Sequence, residues 1–154
     1  MRVIDAEANP EQWLLCRMGS RLCALPRESV REVLRPLPTE PLARSPAFVL
    51  GLCILRGALV PVIDAAMLLG EPTIKPERLV AIRVNDRTIA LAVTAVLGLE
   101  SITSAGLPPL LREAAGEIIA AITVLDAEIL LVLNAARIVP DGLLEDLAAR
   151  EPVL

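Results

Sequence analysis

The stretch VLGLCILRGALVPVIDAAMLLG, residues 49–70, decides the fold. It is apolar almost throughout, yet carries Arg56 and Gly57 at its centre and Asp64 near its end. A strand run this hydrophobic belongs inside a small protein, buried on both faces. An unpaired arginine in such a place is costly, so the run reads as two strands, 48–55 and 58–63, bent at Leu55-Arg56-Gly57. At a bend, Arg56 reaches solvent or a partner. Gly57 supplies the positive φ that the bend needs. Asp64 is a good N-cap for a short helix over 65–69, and Gly70 stops it.

Working outward, the same pattern of short apolar runs and turn residues recurs. Residues 13–18 and 21–25 read as a hairpin around Gly19-Ser20, a register that sets Met18 against Arg21 and Cys16 against Cys23. A helical turn over 26–30 leads to a strand over 32–35. Residues 36–46 hold prolines at 36, 38, 41 and 46 and form an extended loop. A second proline-bearing loop covers 71–76. Residues 79–84 and 88–93 make a hairpin across Asn85-Asp86-Arg87, and 96–102 is a further strand. Residues 103–115, with Pro108-Pro109, read as loop and a helical turn. Residues 118–125 and 128–134 close the pattern as a hairpin across Asp126-Ala127, and Asp141 caps a short C-terminal helix. About ten short strands with little helix mean an all-β barrel or sandwich, and in 154 residues two small barrels suit the count better than one. The expected domain organisation is an arm over 1–10, a two-barrel unit over 11–140 and a helical tail over 141–154. No internal repeat is visible.

Composition excludes several function classes. The chain is 55% hydrophobic, but its charge-poor runs (47–55, 57–63 and 118–125) are far shorter than the ~20 residues of a spanning helix. The first residues lack a basic region followed by an apolar core, so the expectation is a cytoplasmic protein without direct membrane insertion. The hydrophobic excess implies apolar surface left over for partners. Net charge is −4 without a basic cluster, and the aromatics are Trp13 and Phe48 alone, which argues against nucleic acid. There are no histidines, which removes the commonest general base and zinc ligand. Cys16, Cys23 and Cys53 lack metal spacing and read as reduced core thiols. Glycine-rich phosphate loops are absent, and the acids at 113, 117, 126 and 128 read as solubilising or turn charges. No cofactor and no catalytic constellation is expected.

Two residues hold more than one reading. Arg56 is either a solvated arginine at a bend or a recognition arginine ringed by apolar groups, as interface anchors are built. In Val30-Arg31-Glu32-Val33 the charges alternate with buried valines, or the segment forms an apolar and acidic ledge for a partner.

The run at 49–70 resembles the signature of the CheW-like domain, a GxxNLRG turn entering a (V/I)PV(V/I)DL strand and helix. ALPRESVREVLRPLP resembles that family's AxPxxxVxEVxR segment, RLVAIRVNDRTIALAVTAVLGLESI its central hairpin and following strand, and GEIIAAITVLDAEILLVLN its closing hairpin. The resemblance implies two packed five-stranded Src-homology-3-like barrels and a function without catalysis. It implies a coupling adaptor joining the cytoplasmic tips of chemoreceptors to the regulatory domain of the CheA-type histidine kinase. That places the chain at membrane-associated receptor arrays, with self-association or CheW-like paralogues as further contacts. Residue by residue, Leu55, Arg56 and Gly57 fall on the family's LRG turn, associated with receptor and kinase contact. Gly51 matches its first glycine, Val30 and Glu32 its receptor-binding ledge, and Val93 the groove between barrels. Ile54 stands where the family usually has asparagine, and Thr94 where aspartate is common. Those departures point to a divergent chemosensory pathway, such as surface motility or second-messenger control, as the alternative within the family. The rival from another class is a small-molecule-binding barrel with the groove between subdomains as its pocket.

Overall fold

The computed structural model describes residues 12–102, 118–139, 142, 143 and 146. The expected arm over 1–10 and the loop and helical turn over 103–115 lie outside the described residues, as does most of the C-terminal helix. Ten strands are described: β1 (Gln12–Met18), β2 (Arg21–Pro26), β3 (Val30–Leu34), β4 (Val49–Leu55), β5 (Ala58–Asp64), β6 (Arg78–Val84), β7 (Arg87–Val93), β8 (Ala95–Ser101), β9 (Ile119–Leu125) and β10 (Glu128–Leu133). One helix, α1 (Ala65–Leu68), follows β5.

The strands form two five-stranded sheets, ordered β8-β1-β2-β10-β9 and β3-β6-β7-β5-β4. The all-β reading with two small barrels therefore holds. Read along those orders, both sheets repeat one pattern: antiparallel, antiparallel, parallel, antiparallel. The chain has a topological repeat that its sequence does not show.

Alternation along the strands explains why the sequence is so apolar. In β1, Leu14, Cys16 and Met18 enter a central core between the sheets, while Leu15 enters the first sheet's own interior. In β7, Ile89, Leu91 and Val93 join that central core, and Ala90 and Ala92 fill the second sheet's interior. Strands covered on both faces read as continuous hydrophobic runs. Much of the hydrophobic excess is consumed by this contact between the sheets, a use other than the partner surface expected from composition.

Local geometry follows turn chemistry. The register sets Cys16 against Cys23 as expected, and all three cysteines are free and buried. The β6–β7 turn is two residues, not three: Val84 pairs with Arg87, and Asn85 and Asp86 both take positive φ, 48° and 52°. Two left-handed residues match the twist of the strands, so Arg87 returns to the ladder. Asp64 is buried and caps α1, accepting from Met67 N at 3.2 Å, and from Thr73 Oγ1 at 2.8 Å and Ile74 N at 3.3 Å. The helix cap and the following loop thus share one carboxylate.

Candidate functional site

The β4–β5 turn carries the arginine that the sequence singles out. Leu55 pairs with Ala58, leaving Arg56 and Gly57 as a two-residue turn with φ of 52° and 82°. Arg56 itself occupies the left-handed region, so the bend does not rest on Gly57 alone. Its side chain is 76% exposed and grips Glu32: Nε donates to Oε2 at 2.7 Å and Nη2 to Oε1 at 2.9 Å. This is the two-pronged geometry that favours arginine over lysine. The guanidinium donates to the Glu32 carboxylate and holds it below the usual carboxylate range.

The pair spans a seam. β3 and β4 are the two edges of their sheet, and no ladder joins them. The Arg56–Glu32 pair therefore links one edge strand to the hairpin that carries the other. Residues 24 apart in sequence meet at the exposed turn beside Gly57, while Leu55 is half-buried against the second sheet's own interior.

Gly51 lies further back along β4, paired with Val62, where the preceding loop closes on the strand. The loop after β3 crosses β4 there, with Glu40 and Leu52 exchanging both backbone hydrogen bonds at 2.8 Å. A Cβ on residue 51 would lie 2.1 Å from the Glu40 carbonyl oxygen, and φ is +146°. Only glycine fits. The clasped loop leaves a groove of about 500 Å³ on the hairpin's flank, walled by Pro38, Thr39 and Leu52 and by the cross-strand pair Ile54 and Leu59. Ile54 is 68% exposed.

The remaining expected residues lie elsewhere. Val30 is half-buried, pairs with Ile82 and packs on the central core. Val93 is 0% exposed in that same core, so it sets how the sheets sit and presents no surface. Among the described residues the facing sides of the sheets pack into one core, and a groove lies on the β4 edge. Thr94 has structural partners: its Oγ1 accepts from Gly19 N at 3.0 Å, and its N–H donates to Arg17 O at 2.8 Å. Beside it, Ser20 N and Oγ donate to Glu71. The turn of the first sheet thereby docks on the second through Thr94 and Glu71.

Sequence reasoning missed two things here, the Arg56–Glu32 pair and the exposed pair Ile54–Leu59. The pair needs the long-range closure of the sheet, which no local pattern encodes. Ile54–Leu59 was within reach, since it is the second residue on either side of a two-residue turn.

The CheW-like domain model matches residues 12–142 of the chain. Over 122 residues the chain is 38% identical to Protein FrzA of Myxococcus xanthus, a match covering 75% of this chain and 76% of that protein. Over 97 residues it is 33% identical to the chemotaxis protein CheW of Rhizobium meliloti, covering 60% and 62% of the two chains. Its fold is similar to the crystal structure of the scaffolding protein TtCheW from Thermoanaerobacter tengcongensis. That likeness has a TM-score of 0.76 at 20% identity, and covers 87% of this chain and 95% of the other.

Proposed function

This chain belongs to the CheW-like domain family, the coupling adaptors of chemosensory systems, and from that premise we propose how it works. It is a non-catalytic scaffold that joins the cytoplasmic tips of chemoreceptors to the regulatory domain of a CheA-type histidine kinase. Its place is in the cytoplasm at receptor arrays; among the described residues no helix is long and apolar enough to cross a membrane.

The observation that carries the reading is the ledge of Leu55, Arg56, Gly57 and Glu32. The family resemblance implies a docking role for these residues, and in support Arg56 and Glu32 pair at the exposed turn beside Gly57. A scaffold of this kind needs surfaces of modest affinity, which multivalency in an array makes strong. Gly51 lets the Glu40 loop close on β4. Ile54, exposed where the family usually has asparagine, favours an adaptor of a divergent pathway over the flagellar one.

The test is reconstitution from the source organism's own proteins. The chain should bring kinase regulatory domain and receptor cytoplasmic fragment into one complex, and Arg56→Glu should lose it while remaining folded. A wild-type chain that binds neither protein overturns the coupling reading. The rival reading as a small-molecule binder has the apolar groove beside Ile54 in its favour. A thermal-shift screen of metabolites would support it through a ligand whose stabilisation disappears in Ile54→Asp.

A further inference from the structure

Edge strand β3 carries an apolar residue and a set of cations that the fold leaves open. Val33 faces Val80 across the β3–β6 ladder, and Val80 lies in the central core. Val33 therefore stands on the side of the sheet that the core covers, yet it is 41% exposed. Arg78 opens β6 opposite Val93, another core residue, so it stands on the same side. Arg31 and Arg35 flank Val33 along β3, and all three arginines are exposed. Among the described residues none of the three pairs with a carboxylate; Arg78 Nη1 donates to the Glu77 carbonyl at 2.7 Å, and Glu32 is taken by Arg56. Natural sheets cover or guard an edge of this kind.

The chain itself holds a segment of matching size, polarity and charge. The 3-10 turn Ala135–Arg137 packs on β6, and Ile138 and Val139 are buried in the central core. The chain then bends at Gly142, with φ of 83°, and Asp146 N donates to Gly142 O at 3.0 Å, the first turn of the helix expected from the sequence. Leu143 packs on the same core. The segment thus starts over β6, and β3 is the next strand, about 5 Å away within a sheet. As a helix, residues 143–151 would span about 14 Å, close to the roughly 17 Å of a five-residue strand such as β3. Leu143, Leu144 and Leu147 recur at helical spacing, and residues 141–154 hold Asp141, Glu145, Asp146 and Glu151 against Arg150 alone.

We propose that residues 144–154 lie along β3 as an intramolecular cover, with Leu144 and Leu147 on Val33 and with Glu145 and Glu151 toward Arg31, Arg35 and Arg78. The contact is a small apolar one with exposed charges around it, so it opens readily. β3 also carries Val30 and Glu32, so the cover and a partner docked on that strand exclude each other. This exclusion alone rests on the coupling reading; the cover does not.

The cover is tested on the purified chain with no partner present. Trypsin cuts after Arg150, inside the segment, and mass spectrometry follows that one cleavage. Val33→Asp and Leu147→Asp should each speed it by about tenfold or more, because proteolysis follows the population of the open form. The double variant Arg35→Glu/Arg78→Glu should speed it as well. Val33 is exposed, so circular dichroism of Val33→Asp should match the wild type; Val33→Thr is the milder variant and should give a smaller acceleration of the same sign. Equal cleavage in the wild type and in both Val33 variants overturns the proposal. Protection of Arg150 that grows with protein concentration also overturns it, since a second copy is then the cover. For the exclusion, a chain ending after Asp146 should bind the receptor cytoplasmic fragment several-fold more tightly than the full chain, and equal affinity overturns it. Binding by neither chain counts against the coupling reading alone, and the cleavage rates still decide the cover.

Discussion

Arg56 and Glu32 act as one unit, and that changes what a mutation at either one reports. Arg56→Glu removes a cation, sets two carboxylates facing each other and leaves Glu32 without its donor. Its effect on docking then mixes the loss of Arg56 with the repulsion. The double variant Arg56→Glu/Glu32→Arg restores an opposite-charge pair in reverse. We expect each single variant to lose partner binding. The double variant should keep the wild-type melting temperature without recovering binding, since the partner reads which residue bears which charge. Calorimetric titration against the kinase regulatory domain checks this; recovery in the double variant means that the pair serves only to close the seam. The buried thiols behave differently. Burial pushes Cys16 and Cys23 up to about 12, so these facing cysteines are poor nucleophiles despite their proximity.

Turns and loop crossings set the elements, and left-handed positions make the cost of each measurable. Ala127 adopts φ of 65° in the β9–β10 turn, a region that costs residues with a Cβ about 1–2 kcal/mol. Ala127→Gly should stabilise the chain by about 0.5–1 kcal/mol after glycine's larger entropy loss. Gly51→Ala should have the opposite sign and cost about 2 kcal/mol or more, because the Glu40 backbone blocks the new Cβ. Urea unfolding checks both, and a neutral Gly51→Ala would show that the loop is not clasped as described. The hairpins, the Cys16–Cys23 register and the Asp64 cap were legible in the sequence because each depends on a few adjacent residues. The parallel pairings β2–β10 and β5–β7 were not. They join segments far apart in the chain, and strands buried on both faces lose the alternation that would tell their two sides apart. Val93, which the family resemblance sets in the groove between the barrels, is fully buried in the core between the sheets. The resemblance names Arg56 and Glu32 as candidates, but their ion pair joins residues far apart in the chain and no local pattern shows it.

At the scale of the molecule, three carboxylates each close a different junction, and pH should expose them together. Glu32 ties β3 to the β4–β5 turn, Glu128 ties β10 to β1 through Arg17, and Glu71 ties the second sheet to the Gly19-Ser20 turn of the first. A hydrogen bond from Arg56, Arg17 or Ser20 is the main reason that each carboxyl lies below its ordinary 4.5. A carboxyl depressed on folding contributes stability that is fully present above its unfolded value and is lost as pH falls through its folded value. Stability should therefore hold down to the ordinary carboxylate range and decline below it. Glu71→Gln should be less stable than the wild type at pH 7, and the difference should vanish in acid, where the wild-type carboxyl is also neutral. The central core draws Cys16, Cys23 and Leu131 from one sheet and Val80, Leu91 and Val93 from the other. Neither sheet can leave it alone, so calorimetry should show one two-state transition at every pH on this series. Two resolved transitions in Glu71→Gln would mean that the Ser20–Glu71 link, rather than the shared core, makes the barrels unfold as one.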